Sequence, residues 1–252
     1  MERRAALRGR RHDHGVVSSE VVPDQSPPNV RERVDEVRLE LVRLASLTLD
    51  AVRSGTEALV DGDLDHADRV IADDDAIDSL RHALEDECQR IIASPGLGAA
   101  DLRFVGVALR IAHELERSAD LMVNVARTTW RLHPDRLDRV AAPLVDRMSR
   151  QVIVQLRVAV NAFVDRDPSW AAALADMDDT VDELHKALLR HLMDDPTDQG
   201  DATLPRAVQL ALVAHHYERI GDHAVNIGEQ VYRVVEGRRR LSGVRHPVAR
   251  SA

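Results

Sequence analysis

Glu116, Asp120 and Asn124 stand four residues apart and return 102 positions later as Glu218, Asp222 and Asn226. Each triplet closes a longer duplicated passage, residues 112–120 and 214–222, in which His113 and His215 precede the acids at matching places. A step of four in a helix overshoots a full turn by about 40°, so each triplet forms a polar stripe along one side. The surrounding sequence is aliphatic and rich in alanine, a setting in which a carboxylate needs a partner. A second pair of acids is duplicated too, Asp74 with Asp78 and Asp178 with Asp182, at an offset of 104.

If the helices carrying these pairs face one another, Asp74, Asp78, Glu116 and Asp120 converge at one place, and Asp178, Asp182, Glu218 and Asp222 at another. Four confined negative charges repel unless protons, arginine or a cation compensate them. A hard cation held by oxygen ligands is the efficient solution, and the duplication predicts two such metal sites per chain. Magnesium, manganese, ferric iron and zinc all suit an oxygen-rich set, and the spacing does not choose among them. The competing reading is structural. Arg117 and Arg219 follow the glutamates directly, and helical acids commonly pair with arginines on neighbouring turns. Asp74, Asp75 and Asp78 also suit the start of a helix, if the second helix begins later than assigned below.

His113 and His215 read as packed histidines bonded to a nearby acid, the alternative being pH-sensitive groups that support a metal ligand. Asn124 and Asn226 either hold a metal-linked water or bridge neighbouring helices. Small residues beside the acids, Ser118-Ala119 and Ile220-Gly221, permit close helix approach. Asp182-Glu183-Leu184-His185 comes near the Glu-x-x-His pattern of carboxylate di-iron enzymes, but its first-half counterpart ends in Ser79-Leu80-Arg81, which discounts redox catalysis.

The elements that must position these groups are helices throughout. Periodicity predicts helices over about 30–60, 64–92, 99–131, 134–164, 168–193 and 203–237, broken by Asp61-Gly62-Asp63, Ser94-Pro95-Gly96 and His133-Pro134. Pro143 marks either a kink in the fourth helix or a later start. Short connections imply antiparallel neighbours, so the expected fold is all-α, two tandem antiparallel three-helix bundles over 30–132 and 133–237. Residues 1–29 carry five arginines in the first twelve positions and then Pro23, Pro27 and Pro28, and read as a flexible tail, as do residues 238–252. Whether the bundles share one core or sit end to end is left open by the sequence.

Composition agrees. With 44% hydrophobic but only 2% aromatic residues in a chain of 252, the core must be built from Leu, Val, Ile and Ala, a palette that favours helix over sheet. A net charge of −9 gives no support to nucleic-acid binding. The lone cysteine, Cys88, excludes an intrachain disulfide or a thiolate metal cluster and reads as a small core residue. No apolar run spans a membrane and no secretory signal opens the chain, so a cytoplasmic protein is expected.

The duplicated signature, Glu116-Arg117-Ser118-Ala119-Asp120 and Glu218-Arg219-Ile220-Gly221-Asp222, resembles that of the PhoU family of phosphate-signalling proteins, and residues 218–227 match it most strongly. Asp74, Asp78, Asp178 and Asp182 look like its companion aspartates. The first copy departs from the family's Ile-Gly step with Ser118-Ala119, which predicts altered geometry or affinity there. The resemblance spans roughly residues 30–237 and implies two three-helix bundles, multinuclear metal sites and a regulatory, non-enzymatic role. It also implies restraint of phosphate uptake and of the phosphate-starvation response, through contact with the ATPase of a phosphate ABC transporter and with a membrane sensor histidine kinase. Membrane association would then come only through partners. A homodimer joined by an apolar bundle face is a further expectation. The alternatives are a metal-dependent phosphate-ester hydrolase, since clustered metals activate water, and a metal-free interaction scaffold with solvated acidic ridges.

Overall fold

A computed structural model of the chain describes residues 27–165, 167, 169–194 and 203–243. Six helices account for nearly all of them: α1 (Pro28–Asp61), α2 (Leu64–Ile92), α3 (Ala99–Leu132), α4 (Ala141–Asp165), α5 (Trp170–Asp194) and α6 (Thr203–Gly243). The ends of α1 and the start of α2 have local reasons. Pro28 opens α1 where a missing N–H costs nothing, and Gly62 closes it in the left-handed region at φ 64°. The next residue, Asp63, caps α2 by accepting a hydrogen bond from the backbone N–H of His66 at 2.9 Å.

Helix four does not start at Pro134. Residues 133–140 form a loop whose organiser is Asp138: its Oδ1 accepts from the amides of Val140 and Ala141 at 2.8 Å each, and its Oδ2 lies 3.0 Å from His191 Nε2 on α5. Burial opposes its ionisation, but the bonds from Ala141, His191 and Val140 hold the carboxyl below its usual range. Pro143 is the third residue of α4, so its absent donor falls in a turn that has no use for it, and the later-start reading is the one realised. Helix α5 begins two residues after the expected Pro168, and α6 runs six residues past the expected Gly237, so helix covers the first part of what was read as a C-terminal tail. Most of the arginine-rich tail, residues 1–26, and residues 244–252 lie outside the described residues.

Helices α1, α2 and α3 pack on one another, as do α4, α5 and α6. The two bundles meet along α1 against α4 and α3 against α6, leaving α2 and α5 on the outer flanks. One hydrophobic core runs through all six helices, from Val30 to Val231, and decides the open question in favour of a shared interior. The predicted stripe of α1, Val34, Val37, Leu41, Leu44 and Thr48, is buried along its whole length. Cys88 is buried in that core, where its thiol is pushed up to about 11, chiefly by burial, which makes it unreactive.

The seam between the bundles carries polar groups that pair across it. Thr56 Oγ1 reaches Ser149 Oγ at 2.8 Å and the phenolic oxygen of Tyr217 at 2.6 Å, while also donating back to its own helix. Further along, Ser118 Oγ lies 3.0 Å from His223 Nδ1, and the other ring nitrogen stands 3.9 Å from Glu114. Phe104 stacks on Phe163 across the same seam at 5.2 Å between ring centroids. A polar contact buried between apolar helices costs energy when misaligned, so these pairs fix one register of bundle against bundle.

Candidate acidic sites on the bundle flanks

The outer helices α2 and α5 present their aspartates to the central helices α3 and α6. Asp74 is half-buried, and its carboxyl is pushed up to about 6, first by burial and then by the negative charges of Asp120, Asp78, Glu116 and Asp75. Glu116 is raised by burial and by Asp120 and Asp78, against the opposing pull of Arg81 and His113. The four acids predicted to converge in the first bundle therefore share one electrostatic neighbourhood.

The second bundle repeats the arrangement. Asp222 is raised by burial and by Glu218, Asp178 and Asp182. Asp178 is raised by burial, Asp182 and Glu218, while a hydrogen bond from Gln155 Nε2 at 3.3 Å counteracts part of this. Glu218 has a buried oxygen, Oε2, with no hydrogen bond among the described residues; His215 Nδ1 stands 2.9 Å away but off the line of one.

The two sites differ in their compensation. Glu116 has Arg81 Nε at 3.9 Å and His113 Nδ1 at 3.7 Å, whereas among the described residues Glu218 has His215 alone within ion-pair distance. Part of the structural reading is thus realised in the first bundle, though the partner is Arg81 of α2 rather than Arg117. Gly221 makes room for the acids of the second site: a Cβ there would lie 2.8 Å from Asp178 Oδ1 and 3.2 Å from Gln155 Oε1. At the equivalent positions of the first repeat stand Ala119 and Ala51, where the second has Gly221 and Gln155. A methyl group on one helix has been exchanged for an amide on another.

His113 and His215 stand beside their glutamates as expected, but half-exposed rather than packed. Asn124 donates to the backbone carbonyl of Asp120 at 3.1 Å, within its own helix, while Asn226 reaches Glu114 across the bundle seam. The histidine that is buried, His223, was not singled out by spacing. Its ring is pushed down to about 4, chiefly by burial and then by Arg117, Arg219 and His113.

The donor chemistry suits a hard cation: oxygen ligands only, crowded enough to raise the proton affinity of Asp74, with an unbonded buried oxygen on Glu218. Among the described residues, no three of the acids and histidines already stand as a closed ligand set.

Paired three-helix bundles with a carboxylate cluster on each flank define a class of duplicated all-α proteins. The sequence matches the family profile described as PhoU domain twice, over residues 41–129 and 145–231. The chain belongs to the PhoU family. It is 33% identical over 208 residues to a Mycobacterium bovis protein named phosphate-specific transport system accessory protein PhoU homolog 1, covering 82% of this chain and 92% of that one. A Rhizobium meliloti protein named as a PhoU homolog is 29% identical over 82% of this chain and 86% of its own length. The crystal structure of PhoU from Pseudomonas aeruginosa superposes with a TM-score of 0.74 at 30% identity, over 82% of this chain and 99% of that one. These relatives are named as accessory proteins, not as enzymes. Among the described residues, no helix is long and apolar enough to cross a membrane.

Proposed function

We propose that this chain is a metal-binding regulator of phosphate uptake and of the phosphate-starvation response. It acts in the cytoplasm, without catalysis, as an adaptor between a phosphate ABC transporter's ATPase and a sensor histidine kinase. The observation that carries the metal part is the raised proton affinity of Asp74, a carboxylate in want of a positive charge among Asp78, Glu116 and Asp120. Asp74, Asp78, Glu116 and Asp120 would hold one cation site, and Asp178, Asp182, Glu218 and Asp222 the other. Iron, magnesium, manganese and zinc are all compatible with the donor set. When bound, the metal would neutralise a negative flank and give it a fixed geometry for a partner surface to recognise.

The regulatory part is supported by membership of the PhoU family and by the names of the relatives, which place them with phosphate-specific transport. The adaptor role is tested by pull-down of the transporter ATPase and of the kinase from the source cell with metal-loaded protein. Capture that is lost in an E116A/D120A/E218A/D222A variant supports it. Equal capture by that variant sinks the metal-organised adaptor and leaves a metal-free scaffold.

A further inference from the structure

A cleft of about 340 Å³ opens beside the seam between α3 and α6, and Arg117 and Arg219 both line it, one from each repeat. Among the described residues neither guanidinium makes an ion pair or a hydrogen bond. That is unusual for arginines surrounded by acids, because a guanidinium presents five donors in a fork shaped for oxyanions. His113 and Asn124 add further polar groups to the same wall, and Glu116 and Asp120 contribute carboxylates. The space holds roughly ten waters, ample for a small anion that keeps part of its hydration.

Glu114 and His223 lie next to the cleft, within the electrostatic reach of Arg117. Glu114 is itself engaged by a hydrogen bond from Asn226 and approaches His223 at 3.9 Å. The residue equivalent to Glu114 in the second repeat is His216, so Arg219 has no carboxylate at the place where Arg117 has Glu114. Arg117 feels the charge of Glu114 and Arg219 that of Asp222, but neither acid forms a direct ion pair with its arginine among the described residues, so both forks stay open to a ligand in the cleft.

We propose that Arg117 and Arg219 bind a free phosphate-class oxyanion across the bundle seam. The mixed charge of the cleft selects the ligand. Two guanidiniums donate to phosphoryl oxygens, while Glu116 or Asp120 accepts from the P–OH of a hydrogen phosphate. Sulfate, fully deprotonated near neutral pH, has no such donor and meets the carboxylates as a like charge. Because the ligand touches both repeats, its occupancy bears on how the bundles sit against each other.

The inference rests on the cleft's own residues and not on metal, so its test is run in chelator. Wild-type protein is titrated with inorganic phosphate at pH 7 by calorimetry, with sulfate as the comparison anion. Saturable binding of one phosphate per chain is expected, with sulfate weaker. R117Q/R219Q should bind phosphate at least about tenfold more weakly, the loss expected on removing charge-assisted hydrogen bonds. R110Q/R150Q, which removes the same charge from exposed positions outside the cleft, should bind as wild type does. The preference for phosphate over sulfate should shrink in E116Q/D120N. Circular dichroism confirms that each variant is folded, and R117K/R219K supplies a gentler version in which charge remains and the forked geometry is lost. No phosphate binding by the wild type, equal binding by R117Q/R219Q, or equal affinity for sulfate overturns the proposal. Metal retention, measured separately, decides the acidic sites whichever way the phosphate titration falls.

Discussion

Asp74→Asn should stabilise the metal-free protein and weaken the metal-loaded one. The carboxyl of Asp74 is raised from 3.8 to about 6, so the folded state binds its proton more tightly than the unfolded chain does. Folding therefore favours the protonated acid, and stability falls as pH rises from 3.8 towards 6 and stays reduced above it. A shift of about two units corresponds to roughly 3 kcal/mol at about 1.4 kcal/mol per unit. Asp74 is only partly buried, and solvent screening reduces this to about 1–1.5 kcal/mol. An asparagine carries no charge to repel, so in chelator at pH 7 the variant should gain that amount, and the gain should vanish near pH 4. Urea unfolding followed by circular dichroism across pH 4–8 measures both. Added metal should reverse the order, because the wild type then gains binding energy that the variant lacks. A gain that is absent at pH 7, or unchanged between pH 7 and 4, refutes the crowding of carboxylates.

Gly221→Ala should cost about 1–3 kcal/mol by forcing Asp178 and Gln155 away from the new methyl, and Gln155→Ala in the same chain should recover most of it by restoring the first bundle's pairing; urea midpoints decide. Tyr217→Phe should cost about 1 kcal/mol through loss of the buried bond to Thr56, with the melt remaining a single cooperative transition. His223, held neutral down to about 4, makes the fold lose stability as pH falls from 6.5 towards 4, the opposite sign to Asp74 over nearly the same window. His223→Gln should accordingly flatten the acid side of the stability profile, which a pH series of urea midpoints reads directly.

The helices and the pairing of acids were legible because both rest on short-range spacing. Gly62 after α1, the aliphatic stripe of α1 and the four-residue steps of acids each encode their outcome locally. The duplication then supplied what one copy alone lacks, the grouping of Asp74 and Asp78 with Glu116 and Asp120. The start of α4 was obscured because Asp138 caps it through loop amides and is anchored by His191, more than fifty residues away. The seam residues were hidden for the same reason. Thr56, Ser149 and Tyr217 come from three helices, and no periodicity in any one of them announces the contact. Gln155 and the asymmetry between Glu114 and His216 carried a usable signal: in a duplicated chain, places where the two copies differ in size or charge mark positions with different neighbours.

Metal stoichiometry tests the central claim most directly. Chelated protein is re-equilibrated separately with iron, manganese, magnesium and zinc, desalted, and analysed for each element per chain. The account predicts retention of at least one of these metals at both flanks, roughly halved in D74N/E116Q and abolished when D178N/E218Q is added. Retention of no metal by the wild type, or the same content in the quadruple variant, contradicts it.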